Sequence, residues 1–284
     1  MSLRRSSRGA TLWDREGYVE NEGLKLRYLE RGKGKPVLLL HGFGDSAEVW
    51  EFVIPHLKGA FRRIALDQRG HGESSRASPE AYTTLHFVSD IEALRRELGL
   101  EGFSLVGHSM GGRNALVYSA MYGDGVRRLV VIDYGPELAP EGRRRILRAL
   151  RIRPDRFRLE EMAEALMEEN PRLDLHKALQ YLTRVTRPTE DGLFTWRCDL
   201  RLLQRMREGK RVIRDIDLWE FLPKVKTPTL LLRGELSDLL SPEGARRTVE
   251  ALPLARLREI PRAGHAVILD NPEDTARAIG EFLS

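Results

Sequence analysis

Residues 105–112 read LVGHSMGG, an apolar segment that passes through Gly-x-Ser-x-Gly directly into a helical segment. A strand-to-helix turn of this pattern is very tight, so the positions two residues either side of the serine must lack a side chain. The turn lifts the Ser109 hydroxyl above the end of the strand, at the N-terminus of the following helix. The pattern therefore predicts that Ser109 is a nucleophile at the edge of a sheet.

Short apolar strands alternate with amphipathic helices on both sides of that motif. Strands are predicted at residues 24–30, 37–40, 63–66, 103–106 and 129–132, and helices at 47–57, 85–98 and 110–122. The alternation returns near the C-terminus with strands at 229–233 and 257–260 and a helix at 272–283. Apolar runs of four or five residues are typical of parallel strands that are buried on both faces. The pattern predicts an α/β architecture with a mostly parallel central sheet flanked by helices.

Between residues 136 and 225 the strand pattern disappears, and charged amphipathic segments predict helices at 141–153, 159–169, 173–187 and 199–208. We therefore expect an all-helical cap of residues 136–225 inserted into a core of residues 17–135 and 226–284. Residues 1–16 form a basic N-terminal extension of that core. The arginines between residues 143 and 158 indicate a solvated helix face, and the alternative is that they draw anionic substrates towards Ser109.

Composition excludes several classes of protein. The 284 residues carry 47 Lys and Arg against 42 Asp and Glu, and a net charge of +5 is too weak an excess to indicate a nucleic-acid partner. The longest apolar runs, such as Val37–Leu40, have four residues, far short of the roughly 18–20 of a membrane span. The basic start lacks the apolar stretch of a signal peptide, and Cys198 is the single cysteine. These observations favour a cytoplasmic protein, and they leave a homo-oligomer open.

Three further motifs occur in a characteristic order. The sequence has His41-Gly42-Phe43 after the second core strand, DQRGHGES at residues 67–74 after the next, and Gly264-His265 near the end. With the Ser109 motif, these make the chain resemble the α/β-hydrolase family, in its capped subgroup, from about Gly17 onwards. Among the members, it is most similar to small-acyl esterases and thioesterases and to acetamidomethylene-succinate hydrolase. The latter also has Arg-Asn after the motif, as in Arg113-Asn114.

The resemblance implies roles for several histidines. The base lies on the loop after the last strand, where His265 is the one candidate among seven histidines. The motif at residues 67–74 forms a buried scaffold of ion pairs and turns behind the site. The residues expected to line the substrate pocket are His41, Gly42, His108 and Trp196.

Two carboxylates compete to orient His265. Most relatives carry the acid after the strand that follows the cap, in a Gly-x-x-Asp pattern, but here Gly234-Glu235-Leu236-Ser237-Asp238 brings the carboxylate one residue late. Other relatives use an Asp 24 residues after the nucleophile, at the end of the next strand, and Asp133 stands there. Either group could orient the imidazole and stabilise its cation, and we favour Asp133.

The resemblance also implies an oxyanion hole formed by the backbone N–H groups of Phe43 and Met110. It implies a serine hydrolase that acts on a carboxylic ester or a related acyl substrate, including a thioester, an amide or a C–C bond, through an acyl-enzyme on Ser109. No metal or cofactor is expected, and the expected partner is a small acyl molecule. The alternatives are a cofactor-free perhydrolase or haloperoxidase-type enzyme on the same fold and a non-catalytic ligand-binding member.

Overall fold

The computed structural model describes residues 12–208 and 215–284, and eleven strands lie in this part of the chain. They are β1 (Arg15–Asn21), β2 (Leu24–Arg31), β3 (Lys35–Leu40), β4 (Phe61–Leu66), β5 (Phe103–His108), β6 (Val126–Ile132), β7 (Arg156–Phe157), β8 (Thr186–Pro188), β9 (Phe194–Trp196), β10 (Thr229–Gly234) and β11 (Ala255–Ile260). Eight of them form a central sheet in the order β1-β2-β4-β3-β5-β6-β10-β11. In that sheet β2 is antiparallel to both neighbours, and the other pairs are parallel. The predicted, mostly parallel α/β sheet is confirmed.

The central strands are buried on both faces. Leu39 belongs to one apolar cluster, whereas Leu38 and Leu40 belong to another on the opposite side of the sheet. Successive side chains of a strand point to opposite faces, and helices cover both faces here. For this reason the strands appear in the sequence as unbroken apolar runs.

The described residues contain nine α-helices. They are α1 (Thr84–Glu97), α2 (Met110–Tyr122), α3 (Pro140–Ile152), α4 (Leu159–Glu169), α5 (Leu175–Val185), α6 (Leu200–Arg207), α7 (Pro242–Glu250), α8 (Val267–Asp270) and α9 (Pro272–Leu283). The helix predicted at 47–57 is instead two short 3₁₀ helices, Ala47–Phe52 and Ile54–His56. Pro55 has no amide hydrogen for an α-helical bond, which explains the interruption.

The inserted segment, residues 136–225, contains α3 to α6, but it is not all-helical as predicted. Strands β7, β9 and β8 form a small antiparallel sheet in that order. Strands of two or three residues are too short to show an alternating pattern, which explains why the sequence did not reveal them. Most of the predicted N-terminal extension, residues 1–16, lies outside the described residues, and its last two residues belong to β1.

None of the helices in the described part of the chain combines the length and apolar character needed to cross a bilayer.

Candidate active site

Ser109 stands between β5 and α2, with its backbone at φ +52° and ψ −115°. A Cβ atom on Gly107 would lie 2.2 Å from the carbonyl oxygen of Gly111, and one on Gly111 would lie 2.3 Å from that of Leu40. Side chains at these two positions would collide with backbone, as the tight turn predicts. The amide of Ser109 donates to the carbonyl of Ile132 at 2.9 Å, which ties the turn to β6.

His265 connects Ser109 to a buried carboxylate. Its Nε2 lies 3.1 Å from the Ser109 Oγ, and its Nδ1 lies 2.8 Å from Oδ2 of Asp133. Because a carboxylate only accepts, Nδ1 carries the ring hydrogen, and Nε2 presents a lone pair to the serine hydroxyl. His265 lies on the loop between β11 and α8, and Asp133 follows β6 with φ +50°. Three strand ends thus bring the three side chains together.

Asp133 is fully buried, and its carboxylate accepts two hydrogen bonds besides that of His265. The amide of Gly234 donates to Oδ1 at 3.0 Å, and the hydroxyl of Ser237 donates to Oδ2 at 2.6 Å. These donors compensate the burial of its charge. Ser237 stands at the acid position of the Gly-x-x-Asp pattern, so a serine there was a sequence signal against a carboxylate at that position.

Asp238 makes a different contact. Arg145 of α3 donates to both of its carboxylate oxygens, with Nη2 at 2.8 Å from Oδ1. This guanidinium holds the pKa of the Asp238 carboxyl below its ordinary value, and about a third of the side chain is exposed. Of the two candidate acids, the structure brings Asp133 to His265 and leaves Asp238 in an ion pair.

The two residues expected to form the oxyanion hole lie at the same edge of the sheet as Ser109. Met110 is the first residue of α2, and Phe43 follows β3, the strand beside β5. The Phe43 ring packs edge-on against His71, with ring centroids 5.8 Å apart. Open α/β sheets bind ligands at this carboxyl edge.

A cavity of about 200 Å³ opens above Ser109. The residues that line it include Gly42 and two histidines, His108 and His265. Apolar side chains from the core and the inserted segment form most of the wall: Phe43, Val49, Phe52, Ile146, Ala149, Leu150, Leu166, Leu173, Ala266, Ile268 and Leu269. The inserted segment therefore covers the site with a largely apolar surface.

Three arginines of the inserted segment also reach the cavity, and each is paired with a carboxylate. The pairs are Arg145 with Asp238, Arg153 with Glu169, and Arg172 with Asp270. A guanidinium that is already neutralised attracts an anion weakly. These contacts favour the interpretation of the arginines as structural over one in which they draw in anionic substrates.

Asp270 links the inserted segment to the loop of His265. Its Oδ2 accepts from the Gly264 amide at 2.8 Å and from Arg172 Nε at 2.9 Å, and Oδ1 accepts from Asn170 Nδ2 at 2.6 Å. A Cβ atom on Gly264 would lie 2.4 Å from the Arg172 guanidinium. One carboxylate thus fixes both the residue before His265 and the loop after α4, a role that the sequence did not indicate.

Two residues predicted to line the pocket do not do so. His41 is fully buried, with Nε2 accepting from the Gln68 amide at 3.1 Å and Nδ1 donating to the Gly42 carbonyl at 2.7 Å. Burial lowers the pKa of His41 to about 4, so the ring supports the loop from behind as a neutral group. Trp196 is buried against Phe157 and donates its Nε1 hydrogen to the Pro154 carbonyl. The other two predicted lining residues, Gly42 and His108, face the cavity.

A buried ion cluster lies behind the site. Glu48 accepts from Arg27 of β2 and from Arg197 of the inserted segment, both at 2.9 Å, and Arg27 also donates to Asp67 at 2.8 Å. Burial alone would raise the pKa of Glu48, but Arg197 and Arg27 outweigh it and lower the value to about 2. Asp67 also accepts from the amides of Ala47 and Glu73, so the motif at residues 67–74 holds turns and ion pairs together.

In residues 12–208 and 215–284, no group of three or more His, Cys, Asp or Glu side chains is placed to hold a metal ion.

Known proteins resemble this chain over almost all of its length. A family model described as alpha/beta hydrolase fold matches residues 35–160. The 2-(acetamidomethylene)succinate hydrolase of Mesorhizobium japonicum is 32% identical over 92% of this chain and 92% of its own. The 2-hydroxy-6-oxo-6-(2'-aminophenyl)hexa-2,4-dienoic acid hydrolase of Metapseudomonas resinovorans is 30% identical over 95% of this chain and 91% of its own. A crystal structure of E-2-(acetamidomethylene)succinate hydrolase superposes with a TM-score of 0.82 and 29% identity, covering 94% of this chain and 98% of the other.

Proposed function

This chain belongs to the alpha/beta hydrolase family and is a hydrolase, and on that premise we propose that it cleaves an acyl substrate through an acyl-enzyme on Ser109. The observation that carries the proposal is the continuous contact from the Ser109 hydroxyl through His265 to Asp133, at 3.1 and 2.8 Å. A serine hydroxyl is a weak nucleophile at neutral pH, and a base held by an acid is what activates it. Asp133 is therefore our choice for the acid, with Asp238 outside the triad.

In the first half of the reaction, the Ser109 Oγ attacks the acyl carbon while Nε2 of His265 takes the hydroxyl proton. The bond electrons of the carbonyl move to its oxygen, and the N–H groups of Phe43 and Met110 donate to this oxyanion. When the oxyanion collapses, the leaving group departs with the proton from His265, and an acyl-enzyme remains. Asp133 stabilises the imidazolium between these two transfers.

In the second half, water replaces the leaving group. His265 takes a proton from the water as it attacks the acyl carbon, and returns that proton to Ser109 as the acyl-enzyme breaks. The products are a carboxylic acid and the leaving group with one added hydrogen. The same groups serve an ester, a thioester, an amide or a C–C bond, because these substrates differ in the leaving atom and share the acyl carbon.

We also propose that residues 136–225 act as a cap that selects the acyl group. The support is that the segment supplies Ile146, Leu150 and Leu166 to the cavity wall, while every group given a chemical role lies in the core. We infer a cytoplasmic location from the sequence, with the buried free thiol of Cys198 as a consistent observation.

The test of the nucleophile is Ser109→Ala, with hydrolysis of 4-nitrophenyl esters and labelling by a fluorophosphonate as readouts. We expect kcat to fall by about 10⁴ to 10⁶ and labelling to disappear, because the bond-forming atom is lost. A matched control is Ser119→Ala, which removes a buried hydroxyl ten residues later on α2 and should leave kcat within about twofold. Retention of more than about a tenth of kcat in Ser109→Ala would refute the assignment. An unlabelled, inactive wild type would favour the non-catalytic alternative.

A further inference from the structure

His265 is held in place differently from its two partners, Ser109 and Asp133. The amides of Ser109 and Asp133 donate to carbonyl groups of neighbouring strands, so backbone bonds of the sheet fix both residues. His265 lies on a loop beyond β11, which is an edge strand, and within the described part of the chain no backbone–backbone hydrogen bond is made at Gly264 or His265. The position of the His265 backbone therefore depends on contacts with side chains.

Asp270 holds the loop on the side that precedes His265. Its Oδ2 accepts from the Gly264 amide at 2.8 Å, and its side chain is fully shielded from solvent. Two donors of the inserted segment bind the same carboxylate, Arg172 Nε at 2.9 Å and Asn170 Nδ2 at 2.6 Å. Hydrogen bonds to an ionised group are the strong ones, and three of them leave the carboxylate one orientation. The Gly264 amide is thus bound by a group that cannot turn away.

His108 holds the loop on the other side. Its Nε2 lies 2.9 Å from the backbone carbonyl oxygen of His265, and since a carbonyl only accepts, Nε2 carries the ring hydrogen. Burial lowers the pKa of His108 to about 4, with a smaller contribution from His265, so the ring is neutral at pH 7 and keeps this one hydrogen. His108 is the last residue of β5. The contact therefore ties the backbone of His265 to the strand that leads into Ser109.

A general base acts only within hydrogen-bond reach of the proton that it takes. Nε2 of His265 lies 3.1 Å from the Ser109 Oγ, so a shift of the loop would break this contact, and a misplacement of about 1 Å costs about 10²-fold in rate. We propose that Asp270 and His108 are positioning residues that hold the backbone on the two sides of His265. This inference rests on the proposed function, and it gives both residues a share in the rate through the placement of the base.

The test compares substitutions that remove each hydrogen bond with substitutions that retain it. Asp270→Ala removes the acceptor of the Gly264 amide, whereas Asp270→Asn keeps a side-chain oxygen there. His108→Leu removes the donor to the His265 carbonyl, whereas His108→Gln keeps an N–H group near the same position.

The expected losses are in kcat on 4-nitrophenyl butyrate. It should fall by about 10² in Asp270→Ala, the effect of a displaced base. In His108→Leu it should fall by about tenfold, the effect of one lost hydrogen bond. Both conservative variants should stay within about threefold of the wild type, and KM should stay within about threefold in the Asp270 variants, because Asp270 is not among the residues that line the cavity.

A readout independent of activity is the proton NMR signal of the Nδ1–H group of His265. This hydrogen lies in the 2.8 Å contact with Asp133, so it should give a resolved signal far downfield in the wild type. The signal should broaden or vanish in Asp270→Ala and persist in Asp270→Asn. A residue that served folding alone would lower the Tm on substitution and leave the signal and kcat of the folded protein unchanged.

Asp274→Ala is the matched control. It removes a carboxylate four residues later, which accepts from Asn271 at 2.8 Å and pairs with Arg277, and it should keep both the signal and kcat within about twofold.

The outcomes separate this inference from the assignment of the nucleophile. If the wild type is labelled at Ser109 and active, but folded Asp270→Ala and His108→Leu keep kcat within about twofold, the positioning role is refuted and the proposed function stands. Equal losses in Asp270→Ala and Asp270→Asn also refute it, because the charge and not the hydrogen bond would then matter. If Asp270→Ala fails to fold, His108→Leu and His108→Gln decide by the same criteria.

Discussion

The core and the inserted segment hold their sides of the cavity by different kinds of contact. In the core, the amide of Ser109 donates to Ile132 and that of Asp133 donates to Leu232, so neighbouring strands fix both residues through backbone bonds. In the inserted segment, backbone bonds to the core occur at Ala139, Gly142 and Asp199. The cavity-lining residues Arg145, Arg172 and Tyr181 contact the core through their side chains. Backbone bonds survive most substitutions, whereas side-chain pairs can be replaced singly.

This difference suggests a division of labour. The groups that make and break bonds need positions fixed to within a fraction of an ångström, which strand ends provide. The groups that select the acyl chain can change without dismantling the sheet. We therefore expect substitutions of Ser109, His265 and Asp133 to alter the rate for every substrate. Substitutions in the apolar wall of the inserted segment should alter the order of preference among substrates.

The two candidate acids give the largest contrast, because both lie in the core but Asp133 contacts His265, whereas Asp238 pairs with Arg145 of the inserted segment. We expect Asp133→Asn to lower kcat/KM by about 10³ to 10⁴, since the imidazole of His265 loses the acceptor that sets its tautomer. Asp238→Asn should cost less than about tenfold, because it weakens an ion pair with Arg145. Steady-state kinetics on one activated ester decides between them. The reverse ranking would give the role to Asp238.

A smaller effect, on the preference among acyl chain lengths, is expected from a substitution in the inserted segment. Leu150→Ala removes part of the apolar wall and so enlarges the cavity. The ratio of kcat/KM for octanoyl to acetyl 4-nitrophenyl esters should therefore change by about tenfold. Trp196→Phe is the control. Trp196 packs on Phe157 and does not itself line the cavity, and phenylalanine keeps an aromatic ring there, so this ratio should stay unchanged.

Labelling of Ser109 by a small fluorophosphonate should stay near the wild-type rate in both variants. If Leu150→Ala suppressed labelling as fully as His265→Ala while circular dichroism remained native, the inserted segment would have to take part in the chemistry. The division between the two sides would then be wrong.

The smallest expected effect is on thermal stability. It concerns the ion pair between Glu48 of the core and Arg197 of the inserted segment, whose contribution to stability depends on pH. The arginines beside Glu48 lower its pKa in the folded protein to about 2, below the ordinary value of 4.5. A depressed pKa means that the stabilisation is present above pH 4.5 and is lost as the pH falls from about 4.5 towards 2. We expect the Tm of Glu48→Gln to be lower than that of the wild type at pH 7, and the difference to shrink by a few degrees at pH 3. A difference independent of pH would contradict this.

The central sheet could be predicted from sequence because both of its faces are buried. Unbroken apolar runs such as Val37–Leu40 follow directly from that burial. Strand β1 lies at the sheet edge with most side chains exposed, and β7, β8 and β9 are too short for any periodicity, so they left no comparable pattern. Helix α7 was missed as well, although Ser241 caps it and Pro242 begins it.

The site was predictable where a motif fixes local geometry and less so where distant residues meet. The local motif predicts Ser109 as a nucleophile, and the resemblance to the family, with the order of the motifs along the chain, implies His265. The choice between Asp133 and Asp238 needed the positions of two strand ends in space. The contact of Tyr181 with Asp45 joins residues 136 positions apart, and no local pattern could indicate it.

The left-handed backbone at Ser109 and Asp133 has a consequence for evolution. Each non-glycine residue in such a conformation costs about 1–3 kcal/mol, which the surrounding sheet must offset. Glycine at position 109 would remove that cost. Selection for stability alone would therefore favour glycine, which has no hydroxyl, at this position. On the proposed function, the serine at position 109 therefore exchanges part of the stability of the fold for a reactive hydroxyl.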